Sequence, residues 1–237
     1  MLRTLIVTAA CISVLIAASG ALRAQTDPFY REAADPVRLV IGLDMSGSNP
    51  LVEDRDYARK AGARVAGQIV DLPVRSEVII RPLGAYNSTA NDGLRMDFVV
   101  SSKNRPDMLA ANVEQLIAGI PDYVQSGQLR SEGFTNILAF LENMMQVVDC
   151  GSMQSTYILV SDGVEDSEYA NLRQNTAALP ADVLRTTGQP CHELQILGLG
   201  RGLTSPQDTK RIRDEWRAWA QEGEGAPFSR FVGLNDW

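Results

Sequence analysis

The chain is poor in the residues on which much recognisable chemistry depends. Its 237 residues include one histidine, His192, only three cysteines, and 6% aromatics. His192 precedes the apolar run "ELQILGL", at the starting end of an expected strand. A site built at the far ends of the strands would therefore have no Ser-His pair for nucleophilic catalysis. Neither a Gly-x-Ser-x-Gly elbow nor a phosphate-cradling glycine loop is present. Positive charge is also short: 22 Lys and Arg stand against 29 Asp and Glu, for a formal net charge of −7. With no basic stripe to neutralise phosphates, a nucleic-acid partner is excluded. Internal repeats and low-complexity tracts are missing. No apolar run of spanning length follows the first residues, which argues against a multi-pass membrane protein.

What is present is an ordinary globular composition, 45% hydrophobic and 22% charged. The length suits one substantial α/β domain, or at most two small ones. The opening stretch "MLRTLIVTAACISVLIAASGALRAQ" reads as a secretory leader. Arg3 gives a basic start, Leu5 to Ala18 is uncharged and apolar, and small residues follow. The expected organisation is a signal peptide over 1–24, a polar, proline-containing lead-in over 25–36, and one domain over 37–237. Cleavage after Ala21 and after Ala24 both fit. The alternative is an uncleaved N-terminal membrane anchor, since the uncharged stretch to Leu22 is just long enough for a thin bilayer. Cys11 follows "TAA" in the manner of a lipoprotein site, but too early to leave a full apolar region before it. The alanine-rich leader suits a bacterial exported protein, periplasmic or secreted.

Export leaves Cys150 and Cys191, each just before an expected strand. If those strands are parallel neighbours their starting ends lie together, and an oxidising compartment permits a disulfide. Two free buried thiols are the alternative.

From residue 37 the pattern alternates between two periods. "VRLVIGL" is a continuous aliphatic run, expected of a strand covered on both faces. Residues 51–70 place Ala58, Ala61, Val65, Ala66 and Ile69 at helical spacing before the stop "DLP". "SEVIIRPLGAY" and "MDFVVSS" read as a hairpin turned at Asn91-Asp92-Gly93. Helices are expected at 106–120 and 135–148, then the strand "STYILVSDG", a partly helical stretch over 167–185, and the strand "HELQILGLG". Ser205, Pro206 and Asp208 open a last helix whose Ile212, Trp216 and Trp219 share one core face, and "SRFVGL" supplies a final strand. The expected fold class is therefore α/β: a doubly wound, mostly parallel six-stranded sheet with one antiparallel edge strand and helices on both faces.

Ligands of such sheets gather beyond the carboxyl ends of the strands. Asp44, Ser46 and Ser48 in "DMSGS" follow the first strand there, Asp162 in "SDG" follows "YILVS", and Thr135 in "GFTNI" stands where a loop enters a helix. Two carboxylates and three hydroxyls form a set of hard oxygen donors suited to Mg²⁺, or to Mn²⁺ or Ca²⁺. Hydroxyl ligands neutralise little charge, so a cation held there keeps affinity for an outside carboxylate. Asp44 as a simple helix cap and the serines as a turn are the plainer reading. Glu165 and Asp166 read as a solvated acidic loop, and Asn136 as a residue that fixes the threonine loop by hydrogen bonds to backbone. "NST" at 87–89 matches a glycosylation acceptor.

Together these elements resemble the von Willebrand factor A (vWA) family. "DMSGS" is similar to its Asp-x-Ser-x-Ser element, Thr135 to its threonine element, and Asp162 to its second aspartate. The resemblance covers roughly 36–237 and implies a Rossmann-like fold with a metal-ion-dependent adhesion site. It implies that the serines and threonine coordinate metal directly or through water, with the aspartates direct or one shell out. It further implies a protein partner presenting Asp or Glu to the metal, and by analogy a final helix that moves as the site changes ligands. Phe134 stands where relatives often carry glycine, which narrows the approach to the metal. The expected function is an exported protein-binding module and not an enzyme. The alternatives are a scaffold subunit of an envelope complex with a structural metal, and a Mg-dependent hydrolase. The last is disfavoured because phosphoryl transfer at Asp44 wants a second aspartate where Ser46 stands.

Overall fold

The computed structural model of the chain describes residues 34–84, 89–174 and 177–237. The leader, most of the lead-in, and Asn87 and Ser88 of the glycosylation sequence lie outside the described residues. Among the described residues no helix is long and apolar enough to cross a membrane.

Six strands form one sheet: β1 (Arg38–Asp44), β2 (Glu77–Leu83), β3 (Met96–Val99), β4 (Ser155–Val160), β5 (Cys191–Leu197) and β6 (Phe228–Leu234). Their spatial order is β3-β2-β1-β4-β5-β6. β3 alone runs antiparallel, on the edge beside β2. Every other neighbouring pair is parallel. The order reverses direction at β1, which pairs with β2 on one side and β4 on the other. The segments leaving β1 and β4 diverge to opposite faces there, Leu51 and Val52 packing on one and Val164 and Leu172 on the other.

The continuous apolar strands divide their side chains by parity. Leu39, Ile41 and Leu43 of β1, with Ile158 and Val160 of β4, pack on one face against α1 (Arg55–Ile69) and α2 (Pro106–Ala118). Val40, Tyr157 and Leu159 pack on the other against α4 (Ile137–Val147) and α5 (Pro206–Gln221). Gly42 makes the second face possible. A Cβ there would lie 2.7 Å from Leu159 Cδ2 and 3.0 Å from Phe140 Cζ of α4, so the bare backbone lets the helix settle onto the sheet.

The helices start as their residues dictate. Asp54 caps α1, accepting the N–H groups of Asp56 and Tyr57 at 2.9 and 3.0 Å. Ser205 caps α5 by accepting the Asp208 N–H at 3.3 Å, with Pro206 in the first turn. Trp216 and Trp219 are core anchors of α5, packed edge to face with centroids 5.5 Å apart. The disulfide forms between Cys150 and Cys191, with Cα atoms 5.0 Å apart, and ties the segment entering β4 to the first residue of β5.

Two expectations are corrected. The helix expected to end near 120 is followed by a separate short helix, α3 (Ile120–Gln125), because Gly119 and Pro121 interrupt the first one. The stretch 167–185, expected to be partly helical, contains no helix among its described residues. Its side chains satisfy the backbone locally instead: Ser167 Oγ accepts the Tyr169 N–H and Asn171 Oδ1 accepts the Arg173 N–H, each at 3.1 Å.

Candidate metal centre

β1 ends on Asp44, and the parallel register sets Leu43 opposite Val160, which brings Ser161 and Asp162 alongside. Asp44 is fully buried and caps no helix; the first turn after β1 is capped by Asn49, which accepts the Leu51 N–H at 2.8 Å. The Asp44 carboxylate is instead fixed from three sides. Oδ1 accepts the Ser46 N–H at 2.9 Å, while Oδ2 accepts Asn49 Nδ2 at 2.9 Å and the Ser161 hydroxyl at 2.7 Å. Oδ2 is thus used up by two donors, and Oδ1 keeps a lone pair for another partner.

Asp162 is buried as well. Its Oδ1 accepts the Val164 N–H at 2.9 Å. Burial raises its pKa to about 7, and the nearby Asp44 charge adds to the rise; the Val164 N–H and the Arg173 charge oppose it. Burial likewise raises Asp44, against the hydrogen bonds it accepts. Two desolvated carboxylates therefore stand within electrostatic range of each other at the ends of β1 and β4.

The Ser46 hydroxyl lies near enough to Asp44 to favour its charged form, yet it has no partner at good hydrogen-bond geometry and is sealed from solvent. Such a buried, unpaired oxygen is expensive unless something electropositive meets it. Ser48, two residues on, is exposed, and its Oγ accepts Arg173 Nη2 at 2.8 Å.

Thr135 is buried and reaches the same end of the sheet through two backbone links. Three residues before it, Glu132 pairs with the chain after β1: its N–H donates to the Met45 carbonyl and its carbonyl accepts the Gly47 N–H, each at 2.8 Å. Thr135 itself bridges to Asp166, whose N–H donates to the Thr135 carbonyl at 3.0 Å. All five residues named from the sequence thus collect at one end of the sheet. Among the described residues no group of three or more His, Cys, Asp or Glu is placed to hold a metal. The oxygens gathered at this end of the sheet are those of two carboxylates and three hydroxyls.

The loop after Asp162 departs from the solvated acidic turn expected of it. Glu165 is not solvated but fully buried. Its Oε2 accepts the N–H groups of Ile137 and Leu138 at 2.8 and 3.2 Å, so it occupies the N-terminus of α4 from outside. Burial pushes its pKa up to about 8, against the lowering hydrogen bonds from Ser167, Leu138 and Ile137. Asp166 is partly buried and forms the bridge to Thr135 just described. Asn136 holds the threonine loop through its backbone, donating its N–H to the Gly84 carbonyl at 3.2 Å, whereas its side-chain Oδ1 is buried without a partner. Phe134 is 58% exposed at the rim. The segment 162–174 is therefore the strap that joins the aspartate, the threonine loop and α4. No motif marked it, although its run of Ser, Asp, Glu and Asn is the composition of a hydrogen-bonded turn.

No family model matches the sequence, and no curated protein matches it. Solved structures similar to it include the pilus adhesin SpaC from Lactobacillus rhamnosus GG in an open conformation, at 14% identity and a TM-score of 0.40. Manganese-loaded Plasmodium vivax TRAP protein is similar at 17% and 0.42, and the human COPII-coat protein Sec24c at 11% and 0.44. These likenesses cover 83–85% of this chain, which spans 28% of SpaC, 68% of TRAP and 29% of Sec24c. The fold itself is of the doubly wound, Rossmann-like α/β class: a mostly parallel six-stranded sheet with an antiparallel edge strand.

Proposed function

We propose that the chain is an exported, vWA-like protein-binding module whose five oxygen-bearing residues, Asp44, Ser46, Ser48, Thr135 and Asp162, hold a divalent cation. Mg²⁺ suits the set best, with Mn²⁺ or Ca²⁺ as substitutes. The unpaired, buried Ser46 hydroxyl beside the desolvated Asp44 carboxylate carries this reading. An oxygen kept out of water with no donor is what a cation ligand looks like without its cation's contribution to the energy. When bound, the cation would offer an incompletely neutralised charge to an Asp or Glu side chain of a partner protein. The chain's own part is to orient the Asp44 carboxylate through three donors, which offset part of the cost of its burial. Export, with the signal peptide ending near residue 24 and the domain beginning near 37, is supported by the leader composition and the Cys150–Cys191 bridge.

A scaffold with a purely structural cation is the second reading, favoured by the strap that already ties Thr135 and α4 together. Calorimetric titration with Mn²⁺ and pull-down from native extract, each with and without chelator, separate the readings. Ser46→Ala is expected to lose at least tenfold in Mn²⁺ affinity and to release partners. With chelator present the same variant should match or exceed wild-type stability, by about 1 kcal/mol, because a buried unpaired hydroxyl is gone. Partner lists identical in all arms would leave only the scaffold. Unchanged Mn²⁺ binding in Ser46→Ala and Asp44→Ala would remove the metal centre.

A further inference from the structure

Arg173 sits on the turn that closes the strap, and the turn is well anchored. The Leu172 N–H donates to the Glu165 carbonyl at 2.8 Å, and Arg211 Nη2 of α5 donates to the Leu172 carbonyl at 2.7 Å. From this base the Arg173 side chain crosses to the loop after β1, where Nη2 donates to Ser48 Oγ at 2.8 Å. Its Nε lies 3.7 Å from Asp166 Oδ2, an oxygen of the residue that bridges to Thr135. It is also the cation that acts on the Asp162 carboxylate. The side chain is 45% exposed, so it has room to leave.

We propose that Arg173 is a tethered guanidinium that competes with the divalent cation for the Ser48 hydroxyl, and so sets the cation affinity of the centre. This rests on the reading that Ser48 belongs to that centre. A hydroxyl oxygen that serves a divalent cation while keeping a guanidinium 2.8 Å away would hold two positive charges across one atom. Both groups reach solvent, so that repulsion acts at short range and is screened by added salt. A cation entering the centre therefore displaces Arg173 from Ser48 toward Asp166 or solvent. The internal competitor also raises the charge an ion must bring, so it favours divalent over monovalent cations. The fixed strap returns Arg173 to Ser48 when the ion leaves.

The test is calorimetric titration of Mn²⁺ into the whole protein, wild type against Arg173→Gln, Arg173→Ala and Arg173→Lys, at low and at 0.5 M NaCl. Circular dichroism confirms the fold of each. At low salt, Gln and Ala are expected to tighten Mn²⁺ binding by about five- to fifty-fold, and Lys to stay within about threefold of wild type, since charge is the cause. The gain should shrink at high salt. The same gain should shrink in a Ser48→Ala background, where Arg173 has lost its anchor at the site. Affinity in Arg173→Gln equal to or weaker than wild type overturns the proposal while leaving the metal centre standing. Absence of Mn²⁺ binding in wild type and every variant overturns both.

Discussion

Trp216 on α5 donates its indole N–H to the Gly163 carbonyl at 2.7 Å, one residue beyond Asp162. The ring is fully buried, so the bond is formed away from water. Trp216→Phe keeps much of the aromatic packing but orphans a buried carbonyl. A loss of about 1–3 kcal/mol in denaturant unfolding is expected. Mn²⁺ affinity should fall in the same variant, because the backbone that places Asp162 loses its support. A Phe variant with unchanged affinity would uncouple α5 from the centre.

Cation binding should depend on pH near neutrality. A metal ligand must be deprotonated, and burial together with the Asp44 charge raises Asp162 to about 7. Mn²⁺ affinity is therefore expected to rise from pH 6 to pH 8 by about tenfold and to level off above. Without added cation the sign for stability is opposite. The Asp162 contribution is full below its ordinary value of 3.8 and is lost as pH climbs through about 7. Titrations at pH 6, 7 and 8 check the first statement, and melts in chelator check the second.

Glu165 gives a separate pH signature. Its pKa is raised from 4.5 to about 8, so its stabilising contribution is complete below about 4.5 and disappears as pH approaches 8. Glu165→Gln removes that loss while keeping an oxygen for the Ile137 and Leu138 N–H groups. Urea unfolding of both proteins in chelator at pH 5.5 and 8.5 should show the balance moving toward Gln by about 1–3 kcal/mol at the higher pH. A balance that does not move would mean that Glu165 stays charged in the fold.

The Cys150–Cys191 bridge closes a sequence separation of 41 residues at the starting ends of β4 and β5, the end opposite Asp44. Replacing both cysteines by serine should cost about 4 kcal/mol. Mn²⁺ affinity of the folded fraction should be unchanged at low temperature. A double serine variant that binds Mn²⁺ more weakly would show strain passing along the strands.

Where the sequence carried periodicity, the structure follows it. The aliphatic run of β1, the spaced alanines of α1 and the Ser205-Pro206 start of α5 each express a local preference that packing reinforces. That Asp44, Ser46, Ser48, Thr135 and Asp162 lie at one end of the sheet could be read ahead, because each follows or precedes a regular element. The strap was not. Glu165 looks like any surface acid until α4 is placed above it, and Arg173 meets Ser48 only across 125 residues of chain. Contacts of that range leave no period and no composition signal. Pro121 and Gly119 were visible as helix breakers, yet the preceding apolar pattern ran past them.

The central place of β1 has a mechanical consequence. Seven register pairs join it to β2 and six to β4, all parallel. A pull delivered at Asp44 along the strand axis loads both ladders in shear, so their hydrogen bonds resist together. The same pull on β3 or β6, each held on one side, meets a single ladder. An attachment made at the tip of β1 thus bears tension through the most firmly held strand in the sheet.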